Sequence, residues 1–514
     1  MPALRRTLRQ MPDARPAWRD AALLALTLAL LVFANGRWAV ALFAWLAPAL
    51  LVRFVRTRPF GRAFGGGLLV LSVASYVWWR DVFPLSGAAF VVAAVVLGCV
   101  TLVPFLIDRR LAPRLGGIAS TLVLPAAAVT LDLLHSLYSP FGSWGSWAYS
   151  QAGNLPLLQL VSVTGLAGIT FLLLWLAAVV NRPTRGAVIL YASVAAAAFA
   201  FGALRLLSPG ATETVRIAAI TPRIPTYTVR GDAANAAIHG ALSSVRRGRA
   251  LPAPDWEAFR VRAAAVNGEL LAATEREARN GAKLVVWSEG AGIVERHDEA
   301  TLLARGAEVA RRAGVWIELS YLVLDRAGSR TFANQNVLLD ASGQTMWTYQ
   351  KAHPVPGMEA CVPGDGRVPV APTPFGSVAT VICYDADFPR LVAQAGADIL
   401  LIPADDWREI APLHARMARF RAVEQGFAVV RATSSGFSTV VDRYGRVRAS
   451  QDYFAGARTL SAEVPHRASP TPYARTGDVA AFVAPLLLAC CFAAAAGGSE
   501  SAHAAVVHGD RAAA

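Results

Sequence analysis

Hydrophobic residues are concentrated in the first 207 positions of the chain and in one further run near its end. A helix needs about 20 apolar residues to cross a bilayer, and these runs predict transmembrane spans. The predicted spans lie near 20–34, 38–52, 64–80, 84–106, 115–134, 156–180, 186–207 and 479–496. The first two are short for a hydrocarbon core about 30 Å thick, which indicates a tight or tilted hairpin. We therefore predict a seven-span membrane domain over 20–207 and a C-terminal transmembrane helix over 479–496.

The pattern between these two membrane regions is different. Over 215–465, short apolar runs alternate with helical patterns, which is typical of an α/β domain whose sheets and helices enclose a sizeable core. The predicted strands lie at 215–220, 283–288, 315–323, 376–383, 398–402 and 427–432, and the predicted helices at 256–279, 300–312 and 412–425. Residues 336–340 and 344–349 flank a short turn and predict a hairpin. Residues 497–514 are rich in alanine, serine and glycine and are predicted to form a disordered tail.

Arginine residues mark alternate loops of the predicted membrane domain. They precede span one and follow spans two, four and six, whereas the loop over 135–154 contains neither lysine nor arginine. The basic loops contain Arg5, Arg6, Arg9, Arg15 and Arg19, then Arg53, Arg56, Arg58 and Arg62, then Arg109, Arg110 and Arg114, and finally Arg182 and Arg185. Because positively charged loops stay in the cytoplasm, the basic N-terminus over 1–19 is expected inside. The 215–465 domain is then expected on the extracytoplasmic face of the cytoplasmic (inner) membrane.

Composition agrees with a membrane protein and limits its partners. With 55% hydrophobic and 16% charged residues, the 514-residue chain is too apolar for an ordinary soluble enzyme. The formal net charge of +14 requires no nucleic acid, since much of the arginine lies in the topological loops. The first apolar run has no small-residue cleavage site after it, so we expect it to be retained as a span. The lipid bilayer is the expected partner.

Three side chains carry the candidate chemistry. Glu289, Lys351 and Cys383 each come at or just beyond the end of a predicted strand, and Lys351 is one of only two lysines in the chain. Covalent thiol catalysis on an acyl group needs a carboxylate to accept the thiol proton, a thiolate to attack the carbonyl carbon, and a cation to stabilise the oxyanion. Taken alone, each residue has a simpler explanation as a buried thiol or a solvated charge. The prediction of a catalytic Glu-Lys-Cys triad therefore depends on all three together.

The segments around these residues resemble the three motifs of the nitrilase, or carbon–nitrogen hydrolase, superfamily. They are Trp287-Ser288-Glu289-Gly290-Ala291, Tyr349-Gln350-Lys351-Ala352-His353 and Cys383-Tyr384-Asp385-Ala386-Asp387-Phe388-Pro389. Their position between seven N-terminal spans and one C-terminal span is similar to the apolipoprotein N-acyltransferase family, as are the segments 139–151, 414–424 and 471–478. The resemblance implies a multi-pass α-helical membrane bundle of about eight spans with an extracytoplasmic nitrilase-like α-β-β-α sandwich.

The resemblance also implies a reaction. In such enzymes a membrane phospholipid gives an acyl chain to the cysteine thiol as a thioester, and the chain then passes to the N-terminal amine of a diacylglyceryl-cysteine lipoprotein. Glu289 matches the general base, and Lys351 with the backbone N–H of Tyr384 matches the oxyanion site. Glu359 matches a second glutamate that supports the lysine, and Asp385 stands where the family usually carries glutamate. The resemblance implies no metal and no organic cofactor.

Departures from the family pattern leave alternatives open. Only 31 residues separate Lys351 from Cys383, which is nearer to soluble nitrilases, and 404–408 departs from the family's Asn-Asp-Ala-Trp-Phe-Gly stretch. A membrane-tethered amidase or nitrilase, in which water replaces the amine, is therefore an alternative, and a non-catalytic scaffold is a third that the intact triad opposes. His414 is expected to cap or pack its helix. Cys361 is expected to pack in its loop, with a reversible disulfide to Cys383 as the alternative.

Overall fold

The computed structural model describes residues 17–208, 213–225, 233–249, 252–325 and 331–512. Most of the predicted basic N-terminus, residues 1–16, lies outside the described residues. The helices are α1 (Ala17–Val32), α2 (Ala41–Thr57), α3 (Phe60–Trp79), α4 (Gly87–Leu111), α5 (Ala119–Tyr138), α6 (Leu155–Leu158), α7 (Val161–Thr164), α8 (Leu166–Asn181), α9 (Arg185–Leu207), α10 (Ala236–Arg246), α11 (Ala253–Arg279), α12 (Glu299–Ala313), α13 (Pro389–Val392), α14 (Ala411–Gln425), α15 (Pro472–Thr476) and α16 (Val479–Ala512).

The helices α1–α9 and α16 form the apolar part of the molecule. Within the described ranges, five helices are long and apolar enough to cross a membrane: α3, α4, α5, α9 and α16. They correspond to predicted spans three, four, five, seven and eight, so these predictions are confirmed at the level of helix length and composition. α1 and α2 contain 16 and 17 residues and pack against each other. The total of eight spans stays a prediction.

Residues 156–180 do not form the single helix predicted for span six. Instead, the chain bends by 119° between Leu155–Thr164 and Leu166–Asn181. The two segments would add a sixth candidate span if together they cross the membrane once. The bend is at Gly165, whose φ of 58° lies in the left-handed region that favours glycine. A Cβ at this position would lie 2.5 Å from the ring of Tyr473. Hydrophobicity is continuous across the bend, so the sequence pattern did not reveal it.

Two β-sheets face each other in the α/β part. The strands are β1 (Thr214–Ile220), β2 (Leu284–Trp287), β3 (Gly292–Glu295), β4 (Trp316–Leu324), β5 (Ala333–Leu339), β6 (Thr345–Gln350), β7 (Val370–Thr373), β8 (Gly376–Thr380), β9 (Ile399–Asp405), β10 (Ala428–Ser434), β11 (Phe437–Val441), β12 (Val447–Asp452) and β13 (Thr459–Pro465). One sheet has the order β13-β1-β2-β4-β5-β6, with β3 paired to β4, and the other has the order β12-β11-β10-β9-β8-β7.

Helices cover the outer faces of both sheets. α11 and α12 pack on the first sheet and α14 packs on the second. Apolar side chains from both sheets fill the space between them, among them Ile217, Val286, Ile382, Leu401 and Val430. The order of helix, sheet, sheet and helix confirms the predicted α-β-β-α sandwich.

Several local predictions differ from the structure. β3 and β7 have four residues each, too few for a periodic pattern to reveal, and both were missed, as were α10, α15 and β13. β8 ends at Thr380, before the predicted end at 383, because Cys383 opens a tight turn. α16 continues to Ala512 where the sequence predicts a disordered tail over 497–514. Its many alanines favour a helix.

The two ends of the helical part have different surroundings. At one end, the loops after α3 and α5 contact the α/β domain: Trp407 Nε1 donates to the carbonyl of Asp81 at 2.8 Å, and Tyr384 Oη donates to that of Pro140 at 3.0 Å. At the other end, where α2, α4 and α8 finish, the basic residue Arg56 pairs with Asp108 at 2.7 Å. The α/β domain and the arginine-rich loops therefore lie at opposite ends of the bundle.

Candidate active site

Glu289, Lys351 and Cys383 come together at one end of the two sheets. Glu289 follows β2, Lys351 follows β6, and Cys383 follows β8. All three side chains are buried, with exposed fractions of 2%, 0% and 6%. Lys351 Nζ lies 2.7 Å from Glu289 Oε1, and both charges act on the Cys383 thiol. The predicted carboxylate, amine and thiol therefore share one enclosed site.

Lys351 lies between two carboxylates. Its Nζ also donates to Glu359 Oε1 at 2.7 Å, while Glu359 Oε2 accepts from the backbone N–H of Val355 at 2.8 Å. Burial raises the pKa of the Glu359 carboxyl group, which the charge of Lys351 opposes and that of Glu289 reinforces. The predicted supporting glutamate is thus in direct contact with the lysine.

Two groups that sequence reasoning missed orient Glu289. Asn334 Nδ2 donates to Glu289 Oε1 at 2.8 Å, and the backbone N–H of Asp405 donates to Oε2 at 2.9 Å. The carbonyl oxygen of Asp405 lies 4.0 Å from Cys383 Sγ, so one peptide segment touches both the carboxylate and the thiol. Asn334 begins a run of three consecutive buried polar residues in β5, Asn334-Gln335-Asn336, and this polar run inside a core strand is the signal that the sequence offers.

Cys383 occupies a strained turn. Its φ of 49° lies in the left-handed region, which non-glycine residues rarely adopt. The pKa of the Cys383 thiol is raised to about 12, chiefly by burial and also by the charge of Glu289, while Lys351 and His414 act in the opposite direction. The thiol is therefore protonated at rest near neutral pH, and its activation requires a base beside it.

Asp385 ties the turn that carries the thiol to the segment that carries the lysine. Asp385 Oδ2 accepts from Tyr349 Oη at 2.8 Å and from the backbone N–H of Ile382 at 3.2 Å. Asp385 Oδ1 accepts from the backbone N–H of His353 at 2.7 Å. Asp385 is fully buried. The predicted supporting aspartate thus fixes the separation between the two halves of the site.

The membrane part also holds this turn. The carbonyl oxygen of Asp387 accepts from the backbone N–H of Ser143 at 2.9 Å and from Ser143 Oγ at 2.7 Å. Trp144 Nε1 donates to Asp387 Oδ2 at 2.8 Å. A Cβ on Gly142 would lie 2.6 Å from the same Asp387 carbonyl, so the loop approaches as closely as glycine allows.

A cavity of about 410 Å³ opens beside the thiol. Its wall includes Cys383, Glu359 and Tyr384, together with Phe83, Phe141 and Trp144 from the membrane part. The same three aromatic side chains line a second cavity of about 300 Å³ between α3, α4 and α5. The wall of this second cavity is mostly apolar. The cavity at the thiol and the cavity among the helices therefore share an aromatic wall.

One group of buried side chains has the donor types of a metal site. Donor atoms of Cys383, Asp406 and His414 lie within 4.8 Å of one another. However, Arg431 donates to both oxygens of Asp406 at 2.8 and 3.0 Å, and His414 Nδ1 lies 2.8 Å from Asp406 Oδ1. The carboxylate is therefore engaged in a charge network, and an ion would have to displace Arg431. The sequence reasoning expected His414 to pack or cap its helix, and the structure places it beside the thiol.

Cys361 contacts the glutamate that supports the lysine. Its Sγ lies 3.9 Å from Glu359 Oε2, and burial raises the pKa of the Cys361 thiol to about 12. Cys361 and Cys383 are both free thiols. These contacts agree with packing in the loop, and the disulfide alternative stays a prediction.

Comparison with known proteins identifies both parts of the chain. The family model described as the apolipoprotein N-acyltransferase N-terminal domain matches residues 24–179, and that described as carbon-nitrogen hydrolase matches residues 259–473. A deaminated glutathione amidase of Rattus norvegicus is 32% identical over 200 residues, which cover 34% of this chain and 59% of that relative. An apolipoprotein N-acyltransferase of Geobacter metallireducens is 26% identical over 410 residues, which cover 71% of this chain and 72% of that relative.

A solved structure adds little to these matches. The crystal structure of an amidase from Nesterenkonia sp. matches 52% of this chain and 95% of its own, with 20% identity and a TM-score of 0.35. The match to the rat amidase spans about three fifths of that relative's length, 59%.

Proposed function

Since the chain belongs to the apolipoprotein N-acyltransferase family, with the N-terminal domain of that family at 24–179 and a carbon-nitrogen hydrolase domain at 259–473, we propose that it acylates lipoproteins. The proposed donor is a membrane phospholipid, and the proposed acceptor is the α-amine of an N-terminal diacylglyceryl-cysteine. The acyl chain is carried between them as a thioester on Cys383.

The observation that carries this proposal is the position of the thiol against the helical bundle. The cavity at Cys383 and the apolar cavity between α3, α4 and α5 share Phe83, Phe141 and Trp144. An acyl chain is a long apolar group, and removing each of its CH₂ groups from water is favourable by about 0.8 kcal/mol. A donor whose chain lies among the helices can present its ester carbonyl to Sγ without leaving an apolar environment. A small polar amide has no need of such a path.

In the first half-reaction, Glu289 accepts the thiol proton of Cys383 as the sulfur attacks the ester carbonyl carbon. Lys351 Nζ and the backbone N–H of Tyr384 stabilise the negative charge that develops on the carbonyl oxygen. The C–O bond to the glycerol then breaks, and Glu289 returns its proton to the leaving oxygen. The products are a lysophospholipid and a thioester on Cys383.

In the second half-reaction, the amine of the lipoprotein attacks the thioester. Glu289 now accepts a proton from the attacking nitrogen, and the same oxyanion donors stabilise the tetrahedral intermediate. The C–S bond breaks, the sulfur recovers a proton, and the new amide leaves. Glu359 keeps Lys351 in place through both steps, at the 2.7 Å contact described above.

The proposed topology has eight spans, with the α/β domain outside the cytoplasmic membrane. Two observations support it. The domain contacts the loops at Asp81 and Pro140, which belong to the arginine-poor set, and the basic loops lie at the other end of the bundle with Arg56. Because basic loops stay in the cytoplasm, the domain faces the compartment in which lipoproteins are exposed.

Mass spectrometry of lipoprotein N-termini tests the proposal. In cells that lack this protein, N-terminal cysteines should carry two acyl chains and a free amine, and a plasmid copy should restore the third chain. A copy with Cys383→Ala serves as the matched control and should restore nothing. Lipoproteins that remain fully acylated without the protein would show that its acceptor is another molecule.

The second candidate function is a membrane-tethered carbon–nitrogen hydrolase. It is favoured by the 32% identity to the rat amidase and by the 31-residue separation of Lys351 and Cys383. In that case water replaces the amine, and the purified protein should release a free acid from amide or ester substrates. Addition of a diacylated lipopeptide would then leave the product unchanged, whereas an acyltransferase would convert it to the triacylated form.

A further inference from the structure

His414 lies between the turn that carries the nucleophile and the end of β9. Its ring is buried, with Nδ1 2.8 Å from Asp406 Oδ1 and Nε2 3.1 Å from Asp387 Oδ2. One of its ring nitrogens, an Asp406 oxygen and Cys383 Sγ lie within 4.8 Å of one another. Of these three side chains, the proposed triad mechanism uses only Cys383.

The contact between Nε2 and Asp387 leaves a donor available. Although the two atoms are 3.1 Å apart, Nε2 makes no hydrogen bond of acceptable geometry with any described residue. Asp387 Oδ2 already accepts from the indole of Trp144, whose ring packs edge-on against His414 at 5.4 Å between centroids. The Nε2–H group is therefore buried beside a carboxylate without a well-aligned acceptor among the described residues, and it can respond to a charge that develops on the sulfur.

Charges around the ring favour its cationic form. Asp387 and Asp406 face it from two elements, and Arg431 neutralises one of these carboxylates from β10. Along α14, Arg416 and Arg419 donate to backbone carbonyls. Farther along the helix, Arg421 pairs with Glu424 at 3.0 Å. Burial lowers the pKa of His414, but the two carboxylates outweigh burial and raise it well above its usual range. The network of two carboxylates, one guanidinium and one imidazolium is then neutral.

We propose that His414 is a permanent cationic partner of the nucleophile Cys383, in addition to Lys351. It keeps its proton throughout the cycle and stabilises the thiolate as the S–H bond breaks and the O–H bond forms on Glu289. Such a partner is needed because Lys351 is already shared by two carboxylates. The inference rests on the proposed role of Cys383 as the nucleophile.

Alkylation of Cys383 with iodoacetamide across a pH series tests this role in the full-length protein in detergent. Only the thiolate reacts, so peptide mass spectrometry at Cys383 reports its thiolate fraction without any lipid substrate. His414→Gln should slow alkylation near neutral pH by about tenfold or more, which corresponds to an apparent pKa raised by about one unit. The matched control is His297→Gln, an exposed histidine on the surface, which should follow wild type.

Identical alkylation profiles for wild type and His414→Gln would overturn the inference, because a histidine that only packs does not alter the thiol. Thermal unfolding of each variant shows whether the fold is retained. If His414→Gln does not fold, the Asp387→Asn variant tests the inference instead. Its side-chain oxygen can still accept from Trp144 Nε1, but it no longer has the negative charge that favours the cationic form of His414. It should slow alkylation in the same direction, and an unchanged profile would equally overturn the inference.

The two proposals can fail separately. A slower alkylation of His414→Gln together with normal lipoprotein N-termini in cells lacking the protein supports the cationic partner and rejects the proposed acceptor. Unaltered alkylation of His414→Gln together with missing N-acylation in cells lacking the protein rejects the cationic partner and supports the proposed acceptor.

Discussion

The Lys351→Arg substitution keeps a positive charge in the site and changes its shape. Lys351 Nζ is fully buried and lies 2.7 Å from an oxygen of each of two carboxylates. A guanidinium group can bind both carboxylates, but its charge is planar and spread over three nitrogens, so no compact donor points at the carbonyl oxygen of the substrate. Loss of one oxyanion donor reduces kcat by about 10²–10³-fold, or about 3–4 kcal/mol. We expect a reduction of at least this size.

Lys351→Met is the control that separates charge from shape. It leaves Glu289 and Glu359 in a buried site without their cation, and breaking a buried ion pair costs about 3–5 kcal/mol of stability. Lys351→Met should therefore lower the unfolding temperature as well as the rate. Lys351→Arg should lower the rate with a much smaller change in unfolding temperature.

The assay uses the full-length protein in detergent or nanodiscs with a fluorescent phospholipid and a synthetic diacylated lipopeptide. Single-turnover measurements separate thioester formation from transfer, and both steps should slow in Lys351→Arg because both pass through an oxyanion. If Lys351→Arg turned over at the wild-type rate, the lysine would be only a charge partner of the two glutamates. The oxyanion assignment would then be refuted.

Three further predictions concern the thiol, the topology and the second cysteine. Cys383→Ser should lose most turnover, and intact mass should show a hydroxylamine-sensitive acyl adduct on wild type only, since serine forms its alkoxide far less readily; an active serine variant would contradict the assignment. Reporter fusions should place Ser139 and Asp255 outside and Arg110 inside, and a cytoplasmic Asp255 would reverse the orientation. Cys361→Ser should match wild type with and without dithiothreitol, because the thiol packs beside a glutamate; activation of wild type alone by reductant would instead support a disulfide.

The sequence predicted the parts of the site that depend on strand ends. Glu289, Lys351 and Cys383 each come at or just beyond the end of a predicted strand, and in a two-sheet sandwich the ends of such strands meet. Glu359 and Asp385 came from resemblance, and the structure brings both into contact with the segment that carries the lysine. Their proposed roles await the experiments above.

Other parts of the site depend on contacts between distant residues. His414 looks like any helix histidine until the fold places two aspartates and a thiol around it. Asp405 contacts Glu289 through its backbone N–H, and a backbone contact of this kind leaves no signal in the sequence. The bend at Gly165 is similar: a glycine inside an apolar run has several explanations, and only the packing of Tyr473 selects one.

The loop that contacts Asp387 has a consequence for how this enzyme can be divided. Ser143 and Trp144 belong to the membrane part, yet they form hydrogen bonds with the turn that bears the nucleophile. A soluble fragment cut from the chain at residue 213 would retain the triad and lose the walls that hold it. The helical bundle therefore forms part of the wall of the candidate active site, and an α/β domain cut off from it would lack that wall.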